Sequence, residues 1–596
     1  MSKVKNKPSK SLMNNKKLFL LTSVITVLIS FFYSFRLRWL GDDIFIGFRY
    51  IQNFLNGHGL VYNIGERVEG YTDFLWIMLI SFFSWLKMDP QLTVQAFGIL
   101  SSIGTIIIFS IISYKITYPR NIFIIPFVPL ALALNYDFNV WATSGLETSF
   151  FCFLLSAAFY IFFFSSISQN RKYIFTGLFL CLALLTRPEA ILIVALANAL
   201  LLIQLLRSKM RFSKLFSILF NFNLAIIIIY IPYFIWRYNY YGFIFPNTYY
   251  VKLGYESRFE NGLYYIWLYF LIHFVSFLIF ILLPVFCLRM LKFYKSTVEN
   301  SKLRTYDNEV IVSLLFIFVY LLFFVAKVGG DFMFARFIIP VVPFIYLIIY
   351  YFILKIVNER KLNVVFVILL LLSFLETSVR FKFFEKYDEN KNPKVTLNHG
   401  IADERDVYTN YAPIENEVKL GKALHRAFNG IDAKLLIAGG QACFGYYADF
   451  PYCQEMHGLT DTFIAHSVIK NRGRIGHEKV GTLEYFENKG IDFIFYRYLP
   501  SNDKFRLARL ILPPFDIDMS IVTYETEIMN ALTERFGTNI QFTDFPSYLD
   551  DYIKNQLPGK SIDDLKKDFE NFNLYYFRHN NDKMRESRFL SVLSKN

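Results

Sequence analysis

Repeated apolar stretches, most about 18 residues or longer and nearly free of charge, constrain this chain more than any other feature. They run at 18–37, 93–113, 121–138, 145–165, 172–187, 188–206, 215–237, 263–290, 309–327, 336–354 and 361–379. A water-soluble protein could not bury them all, since 55% of the 596 residues are hydrophobic and 68 are Phe. The fold class predicted is an α-helical polytopic membrane protein with about eleven transmembrane helices. Near residue 380 the pattern changes: charges become frequent and long apolar runs stop. Residues 381–596 are enough for a soluble α/β domain. There Ala433-Lys-Leu-Leu-Ile-Ala-Gly-Gly reads as a strand into a Gly turn, and Gly490-Ile-Asp-Phe-Ile-Phe-Tyr as another strand. Thr482 to Asn488 reads as a short helix.

Orientation follows from charge. The net charge of +14 concentrates in short loops at Lys115–Arg120, Arg171–Lys172, Arg207–Lys214, Arg289–Arg304 and Lys355–Lys361. Placing these in the cytoplasm with the Lys-rich residues 1–17 gives one alternation, with 18–37 as a retained signal anchor. The alternation holds only if 72–86, with Asp73 and two Trp, lies on the outer surface as an interfacial helix. The expected domains are a cytoplasmic basic terminus at 1–17, a transmembrane domain at 18–380 with a first outer loop at 38–92, and an extracytoplasmic domain at 381–596. Basic loops that obey this rule explain the charge better than a nucleic-acid partner, and no nucleic-acid module accompanies them.

The polar residues capable of chemistry fall on the predicted outer face. Asp42 and Asp43 end the first apolar run, where a helix C-terminus disfavours carboxylates. Such a pair reads as a general base, a metal ligand (Mg, Mn or Ca), or both. Arg49, Glu66, Arg67, Glu69 and Tyr71 follow in the same loop. Glu147, Arg187, Glu189, Asn247, Tyr249, Lys252, Asp331 and Arg336 stand at other outer helix ends. Arg187, Lys252 and Arg336 are candidates for holding a phosphate, and snorkelling at the interface is the ordinary alternative for each. Cys152, Cys181 and Cys287 lie in apolar runs, whereas Cys443 and Cys453 are expected to pair as a disulfide in an oxidising compartment. His399, His457, His466 and His477 lack the spacing of a zinc helix, and no phosphate-cradling GxxxxGK[ST], GxSxG or dinucleotide fingerprint occurs.

Asp42-Asp-Ile-Phe-Ile-Gly-Phe-Arg-Tyr, with Asn56-Gly-His-Gly-Leu-Val-Tyr-Asn-Ile-Gly-Glu-Arg-Val-Glu-Gly-Tyr-Thr-Asp-Phe-Leu-Trp76, resembles bacterial GT-C glycosyltransferases. The similarity is to the family of the mycobacterial terminal β-(1→2) arabinofuranosyltransferase, and more distantly to protein O-mannosyltransferases and aminoarabinose transferases. Ser144-Gly-Leu-Glu-Thr, Leu185-Thr-Arg-Pro-Glu-Ala, Pro246-Asn-Thr-Tyr-Tyr-Val-Lys-Leu and Gly329-Gly-Asp-Phe-Met-Phe-Ala-Arg-Phe support it. So do His457-Gly-Leu-Thr-Asp461 and Gly473-Arg-Ile-Gly-His-Glu-Lys479. Thr72-Asp-Phe stands where Thr-Asn-Phe is expected, and the chain beyond Arg509 matches nothing in the family. The resemblance implies a bacterial inner-membrane enzyme with its C-terminal domain in the periplasm. It implies inverting transfer from a polyprenyl-phosphate sugar, of which a pentose such as arabinofuranose is one choice, to an envelope glycan or glycolipid. Carried over, Asp42 is the base with Asp43 in support, and Arg187 and Lys252 hold the donor phosphate. A lipid-linked-glycan flippase is the alternative, but it calls for charges near the bilayer midplane and paired repeats.

Overall fold

The computed structural model describes residues 10–593 apart from 119, 121, 209, 254–257, 294–305, 389, 393, 440, 471 and 496–502. Residues 294–304 of the expected basic loop at 289–304, and 1–9 of the basic terminus, lie outside the described residues. Two compact units emerge, each assembled from three separate pieces of chain.

One unit comprises Met1–Gly41, Thr72–Ile244 and Tyr255–Ala412 and is helical throughout its long elements. Among the described residues, seven helices are long and apolar enough to cross a membrane, or eight if one bent pair counts as a single span. The protein is therefore a polytopic helical membrane protein, with fewer such helices than the sequence led us to expect. Three expected spans account for the difference. The 121–138 stretch breaks into Phe127–Leu134 and Tyr136–Trp141, because Asn135 caps the second piece by accepting the Phe138 N–H at 2.8 Å. Thr148–Phe164 is 17 residues long, and Gln169–Thr186 begins with the polar run Gln-Asn-Arg-Lys. The Phe74–Trp85 helix has 12 residues. At 1.5 Å per residue that is about 18 Å, short of the roughly 30 Å of a hydrocarbon core. Its length agrees with a helix that does not cross.

The bent pair is Phe259–Ile272 and Phe274–Pro284, which meet at 101°. His273 occupies the break, with Nε2 2.9 Å from Asp137 and Nδ1 3.0 Å from Glu376. Glu376 also accepts the Val275 N–H at 2.7 Å, so side chains replace the main-chain bonds lost at the bend. Arg380 extends the buried network to Asp137 at 2.9 Å and to Asp403 at 2.6 Å.

The second unit comprises Asp42–Tyr71, Phe245–Gly254 and Pro413–Asn596. It is built on a six-stranded sheet in the order β2-β1-β3-β5-β4-β6. The strands are β1 (Lys434–Ile437), β2 (Tyr452–Glu455), β3 (Phe493–Phe495), β4 (Leu507–Leu512), β5 (Phe515–Ile521) and β6 (Ile540–Phe542). β1 runs parallel to both neighbours, with Ile437 beside Glu455 and Leu435 beside Phe493, and the remaining pairings are antiparallel. The central strands are short and apolar, as burial on both faces demands. Leu436, Ile464, Phe486, Ile491, Ile494 and Val522 form a core beneath them.

The chain leaves β1 through Ala438-Gly439 and enters the Ala442–Ala448 helix. That helix packs on Ile414–Phe428 at a glycine: a Cβ on Gly421 would lie 2.6 Å from Tyr447 Cβ and 2.9 Å from the Phe444 carbonyl oxygen. The 42–71 segment folds with this unit. Its Ile44–Leu55 helix buries eight consecutive residues from Ile44 to Ile51. Asn63 accepts the Cys453 N–H at 3.0 Å and donates to the Cys453 carbonyl at 2.8 Å, matching one β2 residue with an amide side chain.

Candidate active site

Asp42 is a buried carboxylate of the second unit, held through both oxygens. Its Oδ2 accepts the Ala442 N–H at 2.9 Å and its Oδ1 accepts the Cys443 N–H at 2.8 Å. These donors open the helix that follows β1, where main-chain N–H groups have no partner within the helix. The carboxylate is 3% exposed. Burial pushes it up to about 7, the Asp43 charge adds to that, and the two N–H groups oppose it. Orientation by two donors and a pKa near neutrality are what a general base needs. Glu417, on the Ile414–Phe428 helix, is likewise pushed up to about 7 by burial and by the Asp42 charge. Sequence reading missed Glu417, because nothing local links it to a loop 375 positions earlier. Asp43 is less buried and stands at the start of Ile44–Leu55 without capping it through its side chain.

The rest of the first loop is tied into the same unit. Arg49 donates to the Tyr62 carbonyl at 2.8 Å and to the Phe450 carbonyl at 3.0 Å, so it serves the loop's shape. Glu66 accepts from the Tyr452 hydroxyl at 2.8 Å and lies 3.3 Å from Lys489. Lys489 also reaches Asp461 at 2.8 Å and Gln454 at 3.0 Å. Tyr71 packs edge-on against Tyr50 with ring centroids 5.0 Å apart, and Glu69 is buried with its carbonyl accepting the Asn247 N–H at 3.0 Å. Asn247 then donates to the Gly458 and Leu459 carbonyls at 2.6 and 3.0 Å. Tyr249 stacks on Phe245 with 4.3 Å between centroids and is 40% exposed. Lys252 runs beside Gly476: a Cβ there would meet its side-chain carbons at 3.7 and 3.9 Å.

The other predicted residues gather within the first unit. Arg187 bonds both Glu147 and Glu189. Arg336 lies 3.4 Å from Glu147 and 3.5 Å from Asp331. Asp331 accepts the Phe332 N–H at 2.9 Å, and the Arg187 and Arg336 guanidiniums both lie over the Phe337 ring. Burial and the Glu147 charge push Asp73 upward beside them. Two arginines thus face Glu147, Glu189 and Asp331 in one buried cluster.

The expected disulfide does not form. Cys443 and Cys453 are both free and buried. The main-chain N–H of each is held by a side chain, Cys443 by Asp42 at a helix start and Cys453 by Asn63 on β2. Among the described residues no group of three or more His, Cys, Asp or Glu side chains converges to hold a metal ion. Each Asp42 oxygen accepts one main-chain hydrogen, which leaves each a further lone pair.

No family model matches the chain. A stretch of 246 residues is 28% identical to the terminal β-(1→2)-arabinofuranosyltransferase of Mycobacterium tuberculosis. The match covers 39% of this chain and 38% of that protein, so it spans well under half of the relative's length. The crystal structure of ArnT from Cupriavidus metallidurans, bound to undecaprenyl phosphate, superposes with a TM-score of 0.50 at 10% identity. That alignment covers 85% of this chain and 98% of ArnT. The chain is a distant homologue of the mycobacterial arabinofuranosyltransferase and has the fold of ArnT, a GT-C glycosyltransferase.

Proposed function

We propose that this protein is a membrane glycosyltransferase that moves a sugar from a polyprenyl phosphate to a hydroxyl of a glycan or glycolipid. Asp42 is its general base. The observation that carries this reading is the Asp42 carboxylate itself, buried, oriented by two N–H groups and lifted to about 7. A hydroxyl is a weak nucleophile until a carboxylate takes its proton, and a base tuned near the working pH does so best. The undecaprenyl phosphate in the ArnT crystal structure supports the donor class, and the name of the mycobacterial relative supports a pentose such as arabinofuranose.

In the proposed step the acceptor oxygen attacks the anomeric carbon while the bond from that carbon to the phosphate oxygen breaks. The proton passes to Asp42, and polyprenyl phosphate departs with the bonding electrons. Attack opposite the leaving group inverts the anomeric centre. Lys252 belongs to the same unit as Asp42 and offers a cation for the departing phosphate. The chemistry is read as extracytoplasmic, with the membrane helices holding the lipid tail.

The test is transfer by the purified full-length protein in lipid nanodiscs, with a synthetic polyprenyl-phosphate arabinofuranose and an oligosaccharide acceptor. The expected product is an acceptor extended by one residue with inverted configuration. Movement of the lipid-linked sugar across a vesicle membrane, without a new glycosidic bond, would overturn the reading in favour of a transporter.

A further inference from the structure

One ammonium gathers three segments of the second unit. Lys479 is buried, and its Nζ donates to the Ala465 carbonyl at 2.6 Å and to the Tyr250 carbonyl at 3.0 Å. Residues 245–253, the 462–468 stretch and the chain around 480 are thereby tied to one point. Aromatic rings continue across the join. Phe245 stacks on Tyr249, Tyr249 meets Tyr250 edge-on with 5.5 Å between centroids, and Tyr250 lies 4.2 Å from the His466 ring. Phe463 is three residues before His466 on the Thr462–His466 helix, hence on the same side of it, and stacks on Tyr485 at 4.6 Å.

The tied segments leave large apolar side chains in the open. Phe245, Tyr249, Phe463, Val468 and Val480 are 40–73% exposed, whereas Ile464 and Ala465 beside Phe463 fill the core. One exposed apolar residue is ordinary, but a set drawn together by a buried cation marks a contact surface.

Chain connectivity points to the partner. Phe245 follows Tyr241 by four residues, and Tyr241 ends the apolar helical stretch Phe212–Tyr241. The last turns of that stretch read Trp236-Arg-Tyr-Asn-Tyr-Tyr241, the aromatic and basic composition of a membrane–water boundary. Four residues reach at most about 14 Å. Phe245 is thus leashed to the headgroup layer, and Tyr249 stacks on it. Downstream, Phe259–Ile272 opens the bent apolar pair, so the 245–253 segment is fastened to membrane helices at both ends. Lys470, Arg472 and Arg474 follow Val468, and the next acidic residue is Glu478, a sign of charge that suits an anionic lipid surface.

We propose that the sheet-bearing unit carries its own membrane-contact face, formed by Phe245, Tyr249, Phe463, Val468 and Val480, which rests in the headgroup layer of the lipid bilayer. Aromatic and branched side chains reach the acyl boundary, while the main chain that Lys479 satisfies stays out of the hydrocarbon. A unit seated in this way meets lipid-borne molecules at a fixed height.

The experiment attaches a fluorophore to Val468→Cys and, separately, to Val480→Cys in the full-length protein, in nanodiscs of phosphatidylethanolamine and phosphatidylglycerol. The unsubstituted protein measures background labelling, and Met584→Cys, on the Lys583–Leu593 helix and exposed, is the reference within the same unit. Lipids carrying a nitroxide at the headgroup or high on the acyl chain quench a fluorophore that they touch, and iodide quenches one that faces water. We expect several-fold stronger lipid quenching at positions 468 and 480 than at 584, with the reverse order for iodide. Phe463→Ser should weaken lipid quenching at 468 while leaving the melting temperature near the parent's, since the side chain is exposed. Absence of lipid quenching at both 468 and 480 would overturn the proposal. Shielding from iodide without lipid quenching, found only in discs that hold two copies, would also overturn it by assigning the face to a second chain.

Discussion

Asp42 and Cys443 are 401 positions apart and joined by a hydrogen bond of 2.8 Å from the cysteine N–H to the aspartate Oδ1. The first loop's acidic residue is thus built into the sheet domain near the end of the chain. The base role proposed for it depends on both.

Asp42→Asn replaces one acceptor oxygen by an NH2 group that faces a main-chain N–H. We expect transfer to fall by about 100-fold or more, as loss of a general base does. Melting should also move down, by the equivalent of about 1.5–3 kcal/mol for a lost hydrogen bond to a charged group. Asp43→Asn leaves both N–H bonds in place and should melt close to the parent. Equal activity in all three proteins would remove Asp42 from the mechanism.

The pH dependence has a definite sign. As the proposed base Asp42 acts only when ionised, and burial lifts it from 3.8 to about 7. The rate at low acceptor concentration should therefore rise with pH and level off above about 7. The Asp43 charge contributes to the lift, so Asp43→Asn should shift that limb to lower pH. Stability follows the opposite trend. Between 3.8 and about 7 the folded state holds a proton that the unfolded state has released. This group's contribution is then greatest at acid pH and declines as pH rises through that window. Titration of the rate and of urea unfolding checks both.

Gly421→Ala tests the support behind the Asp42 donors. The new methyl would come within 2.6 Å of Tyr447 Cβ and 2.9 Å of the Phe444 carbonyl, neither of which is a flexible tip. Overpacking of this kind costs about 1–3 kcal/mol. We expect a lower melting temperature and a loss of transfer larger than at a surface glycine such as Gly559, which has open space around it.

Cys443 and Cys453 should both react with iodoacetamide in denaturant without reductant, since both are free thiols. In the native protein both should react slowly, because each is buried and burial pushes both thiols upward, away from the reactive thiolate. Mass spectrometry of the alkylated peptides reads the result.

The membrane class was legible because a hydrocarbon core imposes a length and a composition that local sequence records directly. Short elements with strong signals were legible too. Thr482 caps Leu483–Asn488 by accepting the Tyr485 N–H, and β1 and β3 fall within the two predicted strands. Count was less so, because Asn135 and the polar start of Gln169–Thr186 break apolar runs that a window average passes over. The acidic pair was visible, but not what holds it. Periodicity carries no information about a bond spanning 400 positions, such as Ala442 to Asp42. The same limit applied to Arg187 and Arg336. The sequence marks them as candidate phosphate ligands, and the fold adds Glu147 between them.

The discontinuous second unit also sets a timetable. Asp42–Tyr71 leaves the ribosome well before Pro413–Asn596 exists. At about 5–20 residues per second, 400 residues take roughly 20–80 s, an interval in which Asp42 has no N–H donors and Asn63 has no strand to clasp. A newborn chain stopped anywhere short of β2 carries the acidic loop but cannot assemble around it. The 42–71 loop is therefore made long before it can fold and waits on the segments that hold it.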